Sequence, residues 1–200
     1  MLVDLVVGEN LKVQELGLPG VMLVSLNRFE DERGYFNELL SPSILSSLAS
    51  PPLVQVNQSC SNAMVFRGMH MQRPPFGQSK LVHCSSGSIT DFVLDVDPFS
   101  PSFGEKLIVQ LSAETPQSLF IPQQYAHGFL ALENATKVLY GVTRIRSIEH
   151  ETSINVFSTP VGNELKGLNL TLSHPDRTAP DLDVHVANIL RFERAKGSEV

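Results

Sequence analysis

Short apolar or alternating runs recur along the middle of the chain, each too brief for a helix and each closed by a turn signal. Runs of this type cover residues 21–27, 35–40, 53–60, 80–84, 89–96, 106–111, 118–121, 128–132 and 137–143. Turn formers stand between them: Asp31-Glu-Arg-Gly34, Arg73-Pro-Pro-Phe-Gly77, Asp97-Pro-Phe-Ser-Pro101 and Glu114-Thr-Pro116. Strands this short and this closely spaced, with no helical pattern between them, predict a closed all-β sandwich or barrel. Helical signals are confined to two places. Residues 41–48 carry Pro42 where a helix start tolerates it. Residues 181–195 place Leu182, Val186, Ile189 and Leu190 at helical spacing, with acids first and Arg191 and Arg194 late. From 151 to 180 only 154–157 has strand character, and the remainder is loop-like.

The chain has 200 residues, no internal repeat and no long linker, which predicts a single domain over 1–200. A net charge of −6 argues against non-specific nucleic-acid binding, which runs on a basic surface. It leaves room for a phosphate-bearing small molecule in a locally basic pocket. No apolar run approaches the ~20 residues that span a bilayer, and the first ten residues carry acids where a secretory signal would be basic. Cys60 and Cys84 are too few for a disulfide framework. A cytoplasmic protein without membrane contact is therefore expected.

The densest chemistry lies in Val65-Phe-Arg-Gly-Met-His-Met-Gln72. On a regular strand Arg67, Met69 and Met71 would share one face, and Gly68, His70 and Gln72 the other, so Arg67 and His70 would be separated. Gly68 is where a bulge could re-aim one of them. His70 alone fits either a hydrogen-bonded interior histidine or a site residue. A metal is not expected: the position two after His70 is Gln72, and the other histidines are isolated. Gln55 and Asn57 share one strand face, which suits either ligand contact or a wet edge. Lys80 opens a strand, the usual place for a solvated lysine. His127 follows a turn, Tyr140 sits mid-strand, and Asp176 lies in the irregular late segment.

In order along the chain, these segments resemble the dTDP-4-dehydrorhamnose 3,5-epimerase family from about residue 20 to 181. The resemblance rests on Asp31-x-Arg-Gly-x-Phe-x-Glu38, Val54-Gln-x-Asn57, Arg67-Gly-Met-His-x-Gln72 and Lys80-Leu-Val82. It continues through Asp95 with Ser100-Pro-Ser-Phe-Gly104, Ile121-Pro122 with Ala126-His-Gly-Phe129, Leu139-Tyr140, and Asp176-x-x-Ala-Pro180. It implies a cupin-type jelly-roll barrel over about 20–181, followed by a C-terminal helix and tail over 182–200. It also implies a homodimer that works without metal or organic cofactor on a nucleotide-diphosphate sugar bearing a 4-ketone. By position His70 matches the general base, Asp176 its carboxylate partner, Tyr140 the proton donor and Lys80 the cation beside the ketone oxygen. Arg33, Glu38, Gln55, Asn57, Arg67, His127 and Glu151 match substrate-binding positions. Inversion at C3 and C5 is the implied reaction. A single inversion on another activated 4-keto sugar, or a sugar-binding cupin without turnover, are the alternatives. Departures from the family pattern are Met71 in place of an aromatic pocket wall, Arg146 in place of a second Tyr, Pro175 in place of a Lys, and the absence of the late Trp-Pro pair.

Overall fold

The computed structural model describes residues 4–6 and 11–197. Among the described residues fourteen strands are formed, in chain order. They are β1 (Asp4–Val6), β2 (Lys12–Glu15), β3 (Met22–Ser25), β4 (Arg28–Asp31), β5 (Gly34–Asn37), β6 (Gln55–Ser61) and β7 (Phe66–Gln72). Then come β8 (Lys80–Ser86), β9 (Ser88–Asp95), β10 (Lys106–Ser112), β11 (Gln117–Ile121), β12 (Tyr125–Ala131), β13 (Thr136–Val142) and β14 (Glu151–Ser153). Helix α1 (Pro42–Ser47) begins on the cap made by Ser41, whose hydroxyl accepts from the Ile44 N–H. The late segment holds a 3-10 turn (Val156–Ser158) and two short helices, α2 (Gly162–Leu165) and α3 (His174–Arg177), before α4 (Leu182–Gly197). Residues 154–157, expected as a strand, are instead the entry to that turn: Asn155 caps it by accepting from the Phe157 N–H, and the strand lies just before it at β14. Of the expected C-terminal segment, residues 198–200 lie outside the described residues.

Two main sheets result, a seven-stranded one in the order β1-β2-β3-β11-β8-β13-β6 and a five-stranded one in the order β10-β9-β12-β7-β14. All their ladders are antiparallel. This is the all-β architecture the strand spacing predicted, in the jelly-roll form the family resemblance implied. Alternation along each strand sends residues to two different cores. Val82, Cys84, Val93, Leu119, Tyr125, Phe129 and Val138 pack between the sheets. Leu81 and Phe120, facing the other way, meet Leu11, Val13, Val24, Ile44 and Leu48, so the N-terminal segment and α1 roof the seven-stranded sheet. Phe66, Met69, Met71, Phe92 and Leu94 are covered by Ile154, Val156, Val161, Leu165 and Leu172 from the late segment. Leu182 brings α4 onto the same layer. The irregular stretch is therefore a packed cover, and burial of its apolar side chains, worth ~1.5–3 kcal/mol each, holds it without regular structure.

β4 and β5 form a separate two-stranded hairpin. It is anchored at its base by Arg28, whose guanidinium donates to the Glu114 and Ala113 carbonyls and lies over the Tyr35 ring. No described helix is long and apolar enough to cross a membrane.

Candidate active site

β7 carries His70, and its path is irregular at the residue that sequence reasoning marked. His70 stands opposite His127 on β12, but Arg67 stands opposite Phe129, so two residues of β7 face the single Gly128. This bulge lies at Gly68, whose φ is +132°. A Cβ there would come within 2.4 Å of the Gly128 Cα and 2.8 Å of the His127 carbonyl oxygen. Only glycine fits both the torsion and the space. The bulge resets the alternation: Phe66 and Met69, three residues apart, both enter the outer core. Arg67 and His70 therefore come to one face, where a regular strand would have separated them. Met71 follows Met69 into the outer core. It is not a wall of the pocket, which corrects the expectation made for that departure.

His70 Nε2–H donates to Asp176 Oδ1 over 2.6 Å. Asp176 is almost fully buried on α3, where its backbone N–H donates to the Ser173 hydroxyl that caps the helix. Burial alone would push its carboxyl up, but the His70 hydrogen bond and charge, Ser173 and the nearby Arg67 guanidinium hold it below the usual carboxylate range. With the carboxylate on Nε2, the other ring nitrogen of His70, Nδ1, keeps its lone pair.

Lys80 is 9% exposed. The expectation of a solvated strand end fails here because β8 is an interior strand, flanked by β11 and β13, and Lys80 shares the inward face of Val82 and Cys84. Burial lowers its pKa to about 8, against the opposing pull of Asp91 on β9 and Glu151 on β14. Both carboxylates belong to the five-stranded sheet, so the Lys80 charge is felt across the gap between sheets. Tyr140 pairs with Val82 on one side and Asn57 on the other, and it packs on the inter-sheet core. It is thus one same-face step along the sheet from Lys80. Among the described residues its hydroxyl has no hydrogen-bond partner, so it is not a core tyrosine with its polar end tied off.

Asn57 and Gln55 share the Tyr140 face, with the Gln55 amide donating to Asn57 Oδ1 over 2.5 Å. Arg67 reaches β6, donating to the Ser61 hydroxyl and the Cys60 carbonyl. His127 Nε2–H donates to Asp91 Oδ1 over 2.7 Å, and Asp91 is wholly buried. Glu151 stands opposite Gln72 and is held by Arg146 from the loop after β13. Two expected residues are absent from this gathering. Arg33 is exposed at the hairpin tip and ion-paired to Asp31, and Glu38 is exposed just beyond β5. The hairpin is tied to Ala113 and Glu114, just before β11 begins, while Lys80 pairs with Ile121 at the end of that strand. Within one chain they lie at opposite ends of the sheet.

Sequence reasoning missed Asp91, Ser61 and Gln72 as site supports. The signal for Asp91 was available: an acid inside the apolar run 89–96, on the face of Val93, has to be buried and therefore paired. Gln72 is buried and joins two loops, donating to the Phe76 and Ile145 carbonyls and accepting from the Ser147 N–H. Among the described residues no three His, Cys, Asp or Glu side chains cluster so as to hold a metal ion.

A carboxylate-backed imidazole on one sheet, facing a buried ammonium and a phenol on the other, suits proton transfer next to a carbonyl. Comparison with known proteins gives the family. A family model described as dTDP-4-dehydrorhamnose 3,5-epimerase matches residues 15–183. The Salmonella typhimurium protein of that name is 37% identical over 174 residues, covering 86% of this chain and 95% of the relative. The crystal structure of a Legionella pneumophila dTDP-6-deoxy-D-glucose-3,5-epimerase in complex with dTDP-4-keto-L-rhamnose superposes with a TM-score of 0.80 at 28% identity. That match covers 89% of this chain and 96% of the other. A 3'-monoepimerase from Streptomyces bikiniensis in complex with dTDP-quinovose gives a TM-score of 0.79 at 27% identity, covering 88% and 89%. The matched region contains every strand from β3 to β14 and every gathered residue, and the chain belongs to the dTDP-4-dehydrorhamnose 3,5-epimerase family, whose members are sugar isomerases.

Proposed function

We propose that this chain inverts carbons flanking the 4-ketone of dTDP-4-keto-6-deoxyglucose, giving dTDP-4-dehydro-L-rhamnose, without a cofactor. The observation that carries the reading is His70 on β7, paired with Asp176 of α3, on the sheet that faces the one bearing Tyr140 and Lys80. His70 Nδ1 takes the proton from the carbon next to the ketone. The C–H electrons move into the carbon framework and onto the ketone oxygen, where the Lys80 ammonium donates a hydrogen bond to the enolate. Asp176 stabilises the imidazolium so formed. Tyr140 O–H then delivers a proton to the opposite face of the same carbon, and solvent returns both groups to their starting protonation states. Arg67, His127 and Glu151 on one sheet, with Gln55 and Asn57 on the other, bind the sugar and its diphosphate.

Incubation in D₂O with dTDP-4-keto-6-deoxyglucose, followed by NMR, tests this. Deuterium at C3 and C5 is expected. Deuterium at C3 alone would identify a monoepimerase, the activity named for the Streptomyces neighbour. Tight binding without exchange at either carbon would reject the enzyme in favour of a binding cupin.

The same proposal includes a cytoplasmic homodimer. Both cysteines are free, which suits a reducing compartment. The hairpin exposes Phe29, Tyr35 and Phe36, and the edge strand β6 with the residue before it exposes Val54 and Val56. Apolar surface of this kind on a hairpin and a sheet edge calls for a partner. A second copy, related by a twofold axis, would cover it and bring Arg33 and Glu38 to the other chain's pocket. Sedimentation should give a dimer, and Phe36→Glu a monomer. A wild-type monomer would sink this part.

A further inference from the structure

Lys80 faces two carboxylates, and each is already held by a cation or an imidazole. Asp91 is bound by His127, and Glu151 by Arg146. Arg146 Nε–H and Nη2–H both donate to the same Glu151 oxygen, Oε2, over 2.9 and 2.5 Å. The loop that carries Arg146 is fastened beside Lys80 and β7. Ser79 N–H donates to Thr143 Oγ1, Gln78 Nε2–H to the Arg144 carbonyl, and Ser147 N–H to Gln72 Oε1. Glu151 opens β14 opposite Gln72, with Ser153 opposite His70, so its side chain shares the His70 face. Arg146 therefore sits where it can decide which cation Glu151 serves. The other ionisable groups on the inward faces are His70 with Asp176 behind it, Arg67, His127, Tyr140 and, deeper between the sheets, Cys84, Tyr125 and Asp95, the last held by the Ser100 and Ser102 hydroxyls.

We infer that Arg146 is a positioning residue for Lys80: by holding the Glu151 carboxylate, it keeps that group from capturing the Lys80 ammonium and leaves the ammonium to the substrate's ketone oxygen. The inference rests on the epimerase reading for its consequence in turnover, but the electrostatic link is a property of the free protein. Without Arg146, Glu151 turns its full charge on Lys80, raising the lysine's affinity for its proton and drawing it from the pocket. Without Glu151, that affinity falls.

Protein labelled with carbon-13 at the lysine ε position, titrated by NMR and assigned with Lys80→Arg, reads this directly. Arg146→Gln should raise the Lys80 titration by about half a pH unit. Glu151→Gln should lower it, Arg146→Lys should restore the wild-type value, and the double variant should behave as Glu151→Gln alone. The basic limb of kcat/KM should move in the same directions, and Arg146→Gln should lose roughly 10- to 100-fold in kcat. A folded Arg146→Gln protein with an unmoved Lys80 titration would overturn the inference, as would additive shifts in the double variant. A moved titration in a protein whose wild type exchanges no substrate deuterium would keep the electrostatic link and overturn the epimerase reading.

Discussion

Replacing Asp176 by Asn removes the charge from a side chain that is 4% exposed and bonded to His70 Nε2 over 2.6 Å, while leaving its volume unchanged. The loss has a floor and a ceiling. A charge-assisted hydrogen bond contributes about 1.5–3 kcal/mol, and if only that stabilisation of the imidazolium disappears, exchange slows by roughly 10- to 150-fold. The Asn amide can also donate to Nε2, and the ring then carries its proton on Nδ1, where the substrate proton has to go. Tautomer reversal of this kind costs a catalytic histidine about 10⁴-fold. A loss between about 10-fold and 10⁴-fold is therefore expected, read as solvent-deuterium incorporation at C3 and C5. A second effect has a definite sign. Because the folded protein holds the Asp176 carboxyl below its ordinary range, its stabilisation is fully present above the unfolded carboxyl pKa and is lost as pH falls through the folded one. The stability gap between wild type and Asp176→Asn should be widest near neutrality and close on acidification, measured by urea unfolding across pH. Exchange within threefold of wild type, or a gap that widens in acid, would refute the dyad.

Tyr140→Phe should leave proton abstraction in place but remove delivery on the far face. Deuterium returned with retention should then exceed deuterium returned with inversion, and inversion should fall by about 10²–10⁴-fold. Gly68→Ala should cost about 3 kcal/mol or more, since its Cβ would meet backbone at 2.4 Å at a positive φ; a thermal unfolding midpoint equal to wild type would contradict the bulge geometry. Lys80→Met should abolish activity without lowering stability at neutral pH. In the wild type the unfolded chain binds the Lys80 proton more tightly than the folded one, so stability from this group rises between pH 8 and 10.5, by about 3 kcal/mol in all. Denaturant curves of the Met variant should lack that rise.

The strands were legible because their signal is local. Turn residues and apolar alternation placed the runs from 80–84 through 137–143 within a few residues of β8 to β13. β2 and β4 were not seen, because their burial alternates weakly: Lys12–Glu15 buries only Val13, and Arg28–Asp31 buries none of its residues. The late segment was misjudged for a different reason. Its apolar residues follow neither period and have meaning only against the face of the five-stranded sheet they cover. At the site, residue types alone left His70 and Lys80 undecided, because burial and partners come from strands distant in sequence. Asp176 meets His70 across a separation of 106 residues. Only the ordered family motifs made those positions readable. Arg33 and Glu38 show the limit of that route, since within one chain both are exposed and stand apart from the other matched residues.

The pocket also explains a tension in the chain's charge. Its net charge of −6 sits on a protein whose proposed ligand is itself an anion. The acids that could repel such a ligand at the pocket are each engaged: Asp176 by His70, Asp91 by His127 and Glu151 by Arg146. Arg67 donates only to a hydroxyl and a carbonyl, so its positive charge is not cancelled by a direct carboxylate contact. Lys80, buried among these pairs, is costly to the fold, because the folded state loses proton affinity that the unfolded chain keeps. A structural lysine would be better placed in solvent, and an aliphatic residue would pack this position without the penalty. Retaining an ammonium there makes physical sense if negative charge develops beside it only during turnover, which is the condition an enolate oxygen meets.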